Sequence, residues 1–372
     1  MTFASGSDRF GGVDATRPWY TALGWSATSA PVGFLLVAGI ALGPHGLNLL
    51  SSSTRPLLDP VVPVALAALG ALVGLSIGER RSADGLWLAA ASLGSGVTAI
   101  CVALGIGALA WTTVTADVPS FWILTVASGI SAATSLTLPT GNPLEPRSPA
   151  IRVAEAGVVL PILAGGLMLA WLRSGTPLGT VILAAQACAI TVALATAGWL
   201  LLTRASSETE ERVFAISALL LVGGLADALA LSALLGGFIA GAFWRYAAGR
   251  PRIALSRDVL FVQHTLVVLV LLVAGARVEL SLPVLAYGAV YLLARTGGLL
   301  VGALWLKRLV ARQAPRDLGR HLLQPGVFGI AFALNTSIAT DPNDSLLLAT
   351  VVVGTIGSEI AALLLPSRSS RQ

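Results

Sequence analysis

Apolar runs bounded by charged residues or by Gly and Pro recur twelve times along the chain, near 30–49, 60–78, 86–111, 120–138, 151–172, 179–203, 212–230, 232–247, 258–276, 283–306, 321–340 and 345–365. Each run predicts a membrane-spanning helix, for which roughly 20 apolar residues suffice. The fold class expected is an all-α polytopic membrane protein of about twelve transmembrane helices. Residues 1–29, with Asp8, Arg9, Asp14 and Arg17 and no compact apolar stretch before a small-residue cleavage site, do not read as a secretory signal but as a cytoplasmic tail. Residues 366–372 read as a second short tail. The acidic connection Ser206 to Glu211 divides the chain into two halves.

Charge supports the count. If both termini are cytoplasmic, the tails and the even-numbered connections hold 19 of the 23 basic residues, among them Arg80, Arg81, Arg250, Arg252, Lys307, Arg308 and Arg312. The opposite connections hold only Arg55, Arg173 and Arg277, and Arg295 lies inside the tenth span. This is the asymmetry of the positive-inside rule, and it explains the pI near 9.9 without nucleic acid.

Composition then excludes whole classes. With 372 residues, 55% hydrophobic, 11% charged and a mean hydropathy of +0.84, twelve spans leave no room for a soluble catalytic domain. No Walker loop, dinucleotide fingerprint or nucleophile–base constellation is present, so no enzyme is expected. Cys101 and Cys188 lie in apolar runs without metal-ligand spacing, and there are three histidines in all; neither a disulfide framework, a resident metal nor a cofactor is expected. His264 beside Gln263 is read as structural rather than as a pH sensor.

Four ionisable residues stand out inside the spans: Glu155, Asp227, Arg295 and Glu359. Each costs at least about 2.5–3.5 kcal/mol on insertion scales and so needs a partner or a purpose. A carboxylate there serves either an ion or proton path, or an internal ion pair that holds the bundle together. Arg295 keeps its proton and can act only as a fixed countercharge. Two spans also carry small or helix-breaking residues in mid-membrane, Ser128-Gly129-Ile130-Ser131-Ala132-Ala133-Thr134-Ser135 in the fourth and Gln324-Pro325-Gly326-Val327-Phe328-Gly329 in the eleventh. Paired interruptions in corresponding positions of two halves point to a transport site, with Gly129, Pro325, Gly326 and Gly329 as the expected breaks; close packing through small residues is the alternative.

With these features the chain resembles the cation:proton antiporters of the sodium/hydrogen exchanger superfamily, second branch, the type of the Kef and NapA membrane domains. The resemblance rests on Val32-Gly33-Phe34-Leu35-Leu36-Val37-Ala38-Gly39-Ile40-Ala41-Leu42-Gly43-Pro44-His45-Gly46-Leu47, on Ala133-Thr134-Ser135, on Ala226-Asp227 through Gly241, and on Arg295 with Gly298 and Leu322 to Val327. It implies one membrane domain over 30–365, with core helices at about 86–172 and 283–365 forming inverted repeats. Helices 4 and 11 would cross at broken midpoints, and helices at about 30–78 and 212–276 would make a dimerisation surface. It further implies a homodimer in the cell membrane that exchanges Na⁺, K⁺ or Li⁺ for H⁺ by an elevator-like movement. Members of this type usually carry one more helix at the N-terminus, where this sequence has only its polar tail; either the start is misassigned or the protein is shortened, and without that helix the terminus lies in the cytoplasm, in agreement with the charge count.

The departure lies in the fifth span. The family has an Asp-Asp or Asn-Asp pair there; this chain reads Arg152-Val153-Ala154-Glu155-Ala156-Gly157, with Glu155 in place of the first acid and Ala156 of the second. The expected cation- and proton-binding residues are therefore Glu155, Thr134 and Ser135, with Arg295 as countercharge and Asp227 and Glu359 as secondary acidic candidates. One carboxylate shared between a proton and a monovalent cation makes the exchange electroneutral. The degenerate acidic motif leaves two other readings, a transport-inactive membrane scaffold or regulatory protein and a carrier of a different solute.

Overall fold

The computed structural model describes residues 32–44, 46–50, 58–76, 85–113, 118–133, 149–229, 231–247, 250–310, 326–340 and 346–364. Among them are twelve helices and no strand. They are α1 (Val32–Leu42), α2 (Val61–Ser76), α3 (Gly85–Thr113), α4 (Val118–Ala132), α5 (Pro149–Ser174), α6 (Pro177–Arg204), α7 (Glu208–Ala228), α8 (Ala233–Tyr246), α9 (Arg250–Ala276), α10 (Leu282–Val310), α11 (Val327–Thr340) and α12 (Leu346–Leu364). All twelve expected spans are matched in order. Four stretches, Leu93–Thr112, Gly157–Ser174, Pro177–Arg204 and Leu282–Gly302, are long and apolar enough to cross a bilayer unaided, and shorter apolar helices surround them.

The ends differ from the apolar pattern where local chemistry overrides it. α1 stops at Leu42: the Gly43 N–H still bonds the Gly39 carbonyl at 2.9 Å, but Pro44, which follows, has no N–H with which to continue the ladder. α9 begins at Arg250, eight residues before its apolar run, since a helix need not end where the membrane does. The turn between α5 and α6 is built from Gly175 at φ +64, Thr176 as the cap whose Oγ1 accepts the Gly179 N–H at 3.2 Å, and Pro177 as the first helical residue.

Small residues set the packing. Along the α2–α8 seam, a Cβ added at Gly70, Gly74, Gly237 or Gly241 would collide with the facing backbone: the carbonyls of Leu234 and Phe238 for the first two, and of Ala67 and Ala71 for the last two. α1 and α9 meet the same way, with the Gly39 and Gly275 backbones packed directly on each other. In lipid, where tails are as apolar as leucine, such close approach supplies the attraction that burial supplies in water.

α4 and α11 are among the shorter helices, with α1 and α8. At 15 and 14 residues they rise only about 20 Å, short of the roughly 30 Å hydrocarbon core. Two expected breaks are not where the sequence pattern placed them. Gly129 is helical and packs on α3, where an added Cβ would lie 2.6 Å from the Ala99 carbonyl oxygen; α4 runs on to Ala132. Gly329 is likewise buried within α11, and its N–H bonds the Gly326 carbonyl at 3.3 Å. Gly129 serves close packing inside a helix, and neither glycine ends its helix, at a propensity cost of roughly 1 kcal/mol each. Gly326 is the described residue that precedes α11; Pro325 lies outside the described residues.

Candidate functional site

The end of α4 carries a buried polar cluster. Ser131 donates its hydroxyl to the Ser128 carbonyl at 2.8 Å, which leaves its oxygen to accept the Tyr291 hydroxyl of α10 at 3.2 Å. One turn further along α10, Arg295 is 2% exposed, and its Nε donates to the carbonyl oxygen of Ala132, the last residue of α4, at 3.4 Å. A guanidinium is thereby held against the end of a helix, where unsatisfied carbonyls and the aligned peptide dipoles concentrate negative potential. Gly298 brings α10 in to this depth, since a Cβ there would lie 2.8 Å from the Thr98 Cα of α3; Gly354 of α12 lies against the Tyr291 ring.

α4 and α12 carry further buried hydroxyls. Ser128 Oγ and Thr125 Oγ1 of α4 and Thr350 Oγ1 of α12 are buried without a hydrogen-bond partner among the described residues. A buried hydroxyl without a partner forfeits about 1–3 kcal/mol, so each of these oxygens is free to take a water or another polar ligand.

Of the residues singled out in the sequence, Arg295 sits at this centre. Thr134, Ser135 and Pro325 lie outside the described residues. Glu155 is helical in α5, which packs against α3, α4 and α11, and Asp227 is helical at the end of α7; their side chains are not among those described. Glu359 belongs elsewhere. It is half-buried in α12, and its Oε2 accepts the N–H of Gly33, so the carboxylate caps the N-terminus of α1. His264 is exposed on α9, whereas its neighbour Gln263 is buried.

Ser131 and Tyr291 were not singled out in the sequence, where Ser131 reads only as one small residue in a run. The tyrosine four residues before the intramembrane arginine was the available signal, because that spacing puts both on one face of α10.

No protein-family model matches the chain, and no curated protein matches its sequence. In structure it is similar to the sodium proton antiporter MjNhaP1 from Methanocaldococcus jannaschii, solved at pH 8, with a TM-score of 0.60 over 90% of this chain and 89% of that one. The two sequences are 16% identical. The chain is thus an all-helical membrane protein with the fold of that antiporter.

Proposed function

We propose that the protein is a secondary transporter that exchanges a monovalent cation, Na⁺, K⁺ or Li⁺, for H⁺ across the cell membrane, with both termini cytoplasmic. The observation that carries this reading is the buried Arg295 guanidinium bonded to the Ala132 carbonyl, where α4 ends, on a fold similar to that of a sodium proton antiporter. A fixed positive charge there keeps an empty carboxylate from stranding net negative charge in the bilayer, and it competes with the cation without ever giving up its own proton.

In the proposed cycle Glu155 is the titratable group. It holds a proton on one side of the membrane and exchanges it for a cation on the other, with Thr134, Ser135 and main-chain carbonyls around the α4 and α11 ends as the remaining ligands. One carboxylate carries either one proton or one cation, so the exchange is electroneutral. α3–α5 and α10–α12 form the moving core, α1, α2 and α7–α9 form the stationary part that pairs in a homodimer, and α6 links the two.

Proteoliposomes containing the purified protein and an interior pH dye test this, with Na⁺, K⁺ and Li⁺ added in turn between about pH 6.5 and 9. Cation-dependent dequenching that disappears in Glu155→Gln, with unchanged folding, is the expected result. Exchange that persists in that variant removes Glu155 from the mechanism. Silence toward all three cations in tight vesicles of folded protein favours the transport-inactive scaffold, which the loss of the family's Asp pair already suggests, or a carrier of another solute.

A further inference from the structure

Asn335 is the one amide in α11 and follows an unbroken buried stretch from Val327 to Leu334. Its Nδ2 donates out of the helix to Ser232 Oγ at 3.2 Å, with both residues buried. Ser232 is the N-cap of α8, and the same oxygen accepts the Leu235 N–H at 3.2 Å. Leu235 in turn rests on Gly166 of α5, where an added Cβ would lie 3.0 Å from the leucine Cβ. Beside it, Phe332 of α11 lies over Gly165 of the same helix. Two helices of the proposed core thus close on the first turn of one stationary helix. Beside that junction is a small cleft lined by Pro63, Leu66 and Ala233 on one side and by Asn335, Ile338 and Ala339 on the other.

We propose that the Asn335–Ser232 hydrogen bond, with Leu235 seated on Gly166, is a latch that holds the core against α8 at the membrane face where α8 begins, and that opening the transport site to that face requires the latch to part. This rests on the proposed exchange by a moving core. Under the proposed topology that face is the outer one. The chemistry suits a reversible contact. A neutral amide–hydroxyl bond contributes about 1 kcal/mol net, and water can replace it on both partners once the cleft opens. Gly166 admits the leucine without a Cβ between them, so the seal closes tightly yet holds by packing alone.

Two measurements in a Cys101→Ser, Cys188→Ser background test it. The background protein is first assayed for exchange, and silence at that stage refutes the proposed function, not the latch. With exchange present, Ser232→Cys with Asn335→Cys, bridged by a short bifunctional thiol reagent, is expected to lose exchange at least about tenfold and to recover it on reduction. The single-cysteine variants, treated alike, supply the reference rates. A bridged protein that exchanges undiminished overturns the latch. The second measurement needs no transport. The thiol of Ala233→Cys, in the cleft, is expected to react about fivefold faster with an impermeant thiol reagent once Asn335→Leu is added, the factor that 1 kcal/mol represents. Unchanged reactivity overturns the latch even if exchange is absent.

Discussion

Gly237→Ala is the sharpest test of how this fold is held together. An alanine Cβ there would overlap the Ala67 carbonyl oxygen and come within 2.5 Å of its carbon and 2.7 Å of its Cα. All three are backbone atoms of α2, so no rotamer change relieves the clash. A Cβ closer than 3.4 Å to a heavy atom is tighter than nine in ten real cases, and the two helices must separate by about 0.7 Å or more to relieve the approach to the Ala67 Cα alone. Separation loosens the neighbouring packing at Gly70, Gly74 and Gly241 together, because the seam is rigid along its length. Overpacking of this kind costs about 1–3 kcal/mol, and a seam that loosens at several points at once belongs at the upper end. Gly224→Ala is the matched control, since nothing lies within 4 Å of a Cβ at that position in α7. Its helix-propensity gain, about 1 kcal/mol in water, is expected to vanish here, because a segment in detergent or lipid stays helical when the bundle comes apart. Thermal stability in detergent, followed by the monodisperse fraction that survives heating, is expected to fall by several degrees for Gly237→Ala and to stay near the parent value for Gly224→Ala. Equal stability of the two variants would refute seam packing as the source of cohesion.

Three further outcomes follow from single interactions. Arg295→Met removes the cation from the end of α4 and is expected to cost up to about 2 kcal/mol of thermal stability, with Arg295→Lys retaining most of it; equal losses in the two would deny the charge any role. Glu359→Ala uncaps α1 and is expected to cost about 0.5–2 kcal/mol, read as faster amide hydrogen exchange at Gly33 than in Glu359→Gln, whose side-chain oxygen still accepts. Glu210, at the exposed start of α7, accepts the backbone N–H and the hydroxyl of Ser206, both at 2.8 Å, and these bonds hold its carboxyl below the usual carboxylate value. Because the folded value is the lower one, its contribution is complete above the unfolded carboxylate range and fades as pH falls through the folded value. Protection of the Ser206 amide, measured relative to Glu210→Ala, is expected to shrink on acidification; a difference that stays constant down to strongly acid pH would contradict it.

The sequence by itself determined the number, order and type of the helices, because a bilayer admits few structures that satisfy their own backbone and each span needs its own apolar run. It also marked Arg295, since a charge inside such a run has no local explanation. Tertiary structure decided what that charge and the other polar groups touch. Arg295 is matched to the Ala132 carbonyl from 163 residues away, and Glu359 reaches Gly33 across 326, distances along the chain at which no spacing rule operates. It also decided the meaning of the glycines. In the sequence Gly129 and Gly329 look like interruptions. In the fold both remain helical, and Gly129 leaves room for a neighbouring backbone carbonyl, because a missing Cβ serves flexibility or close approach according to what lies opposite.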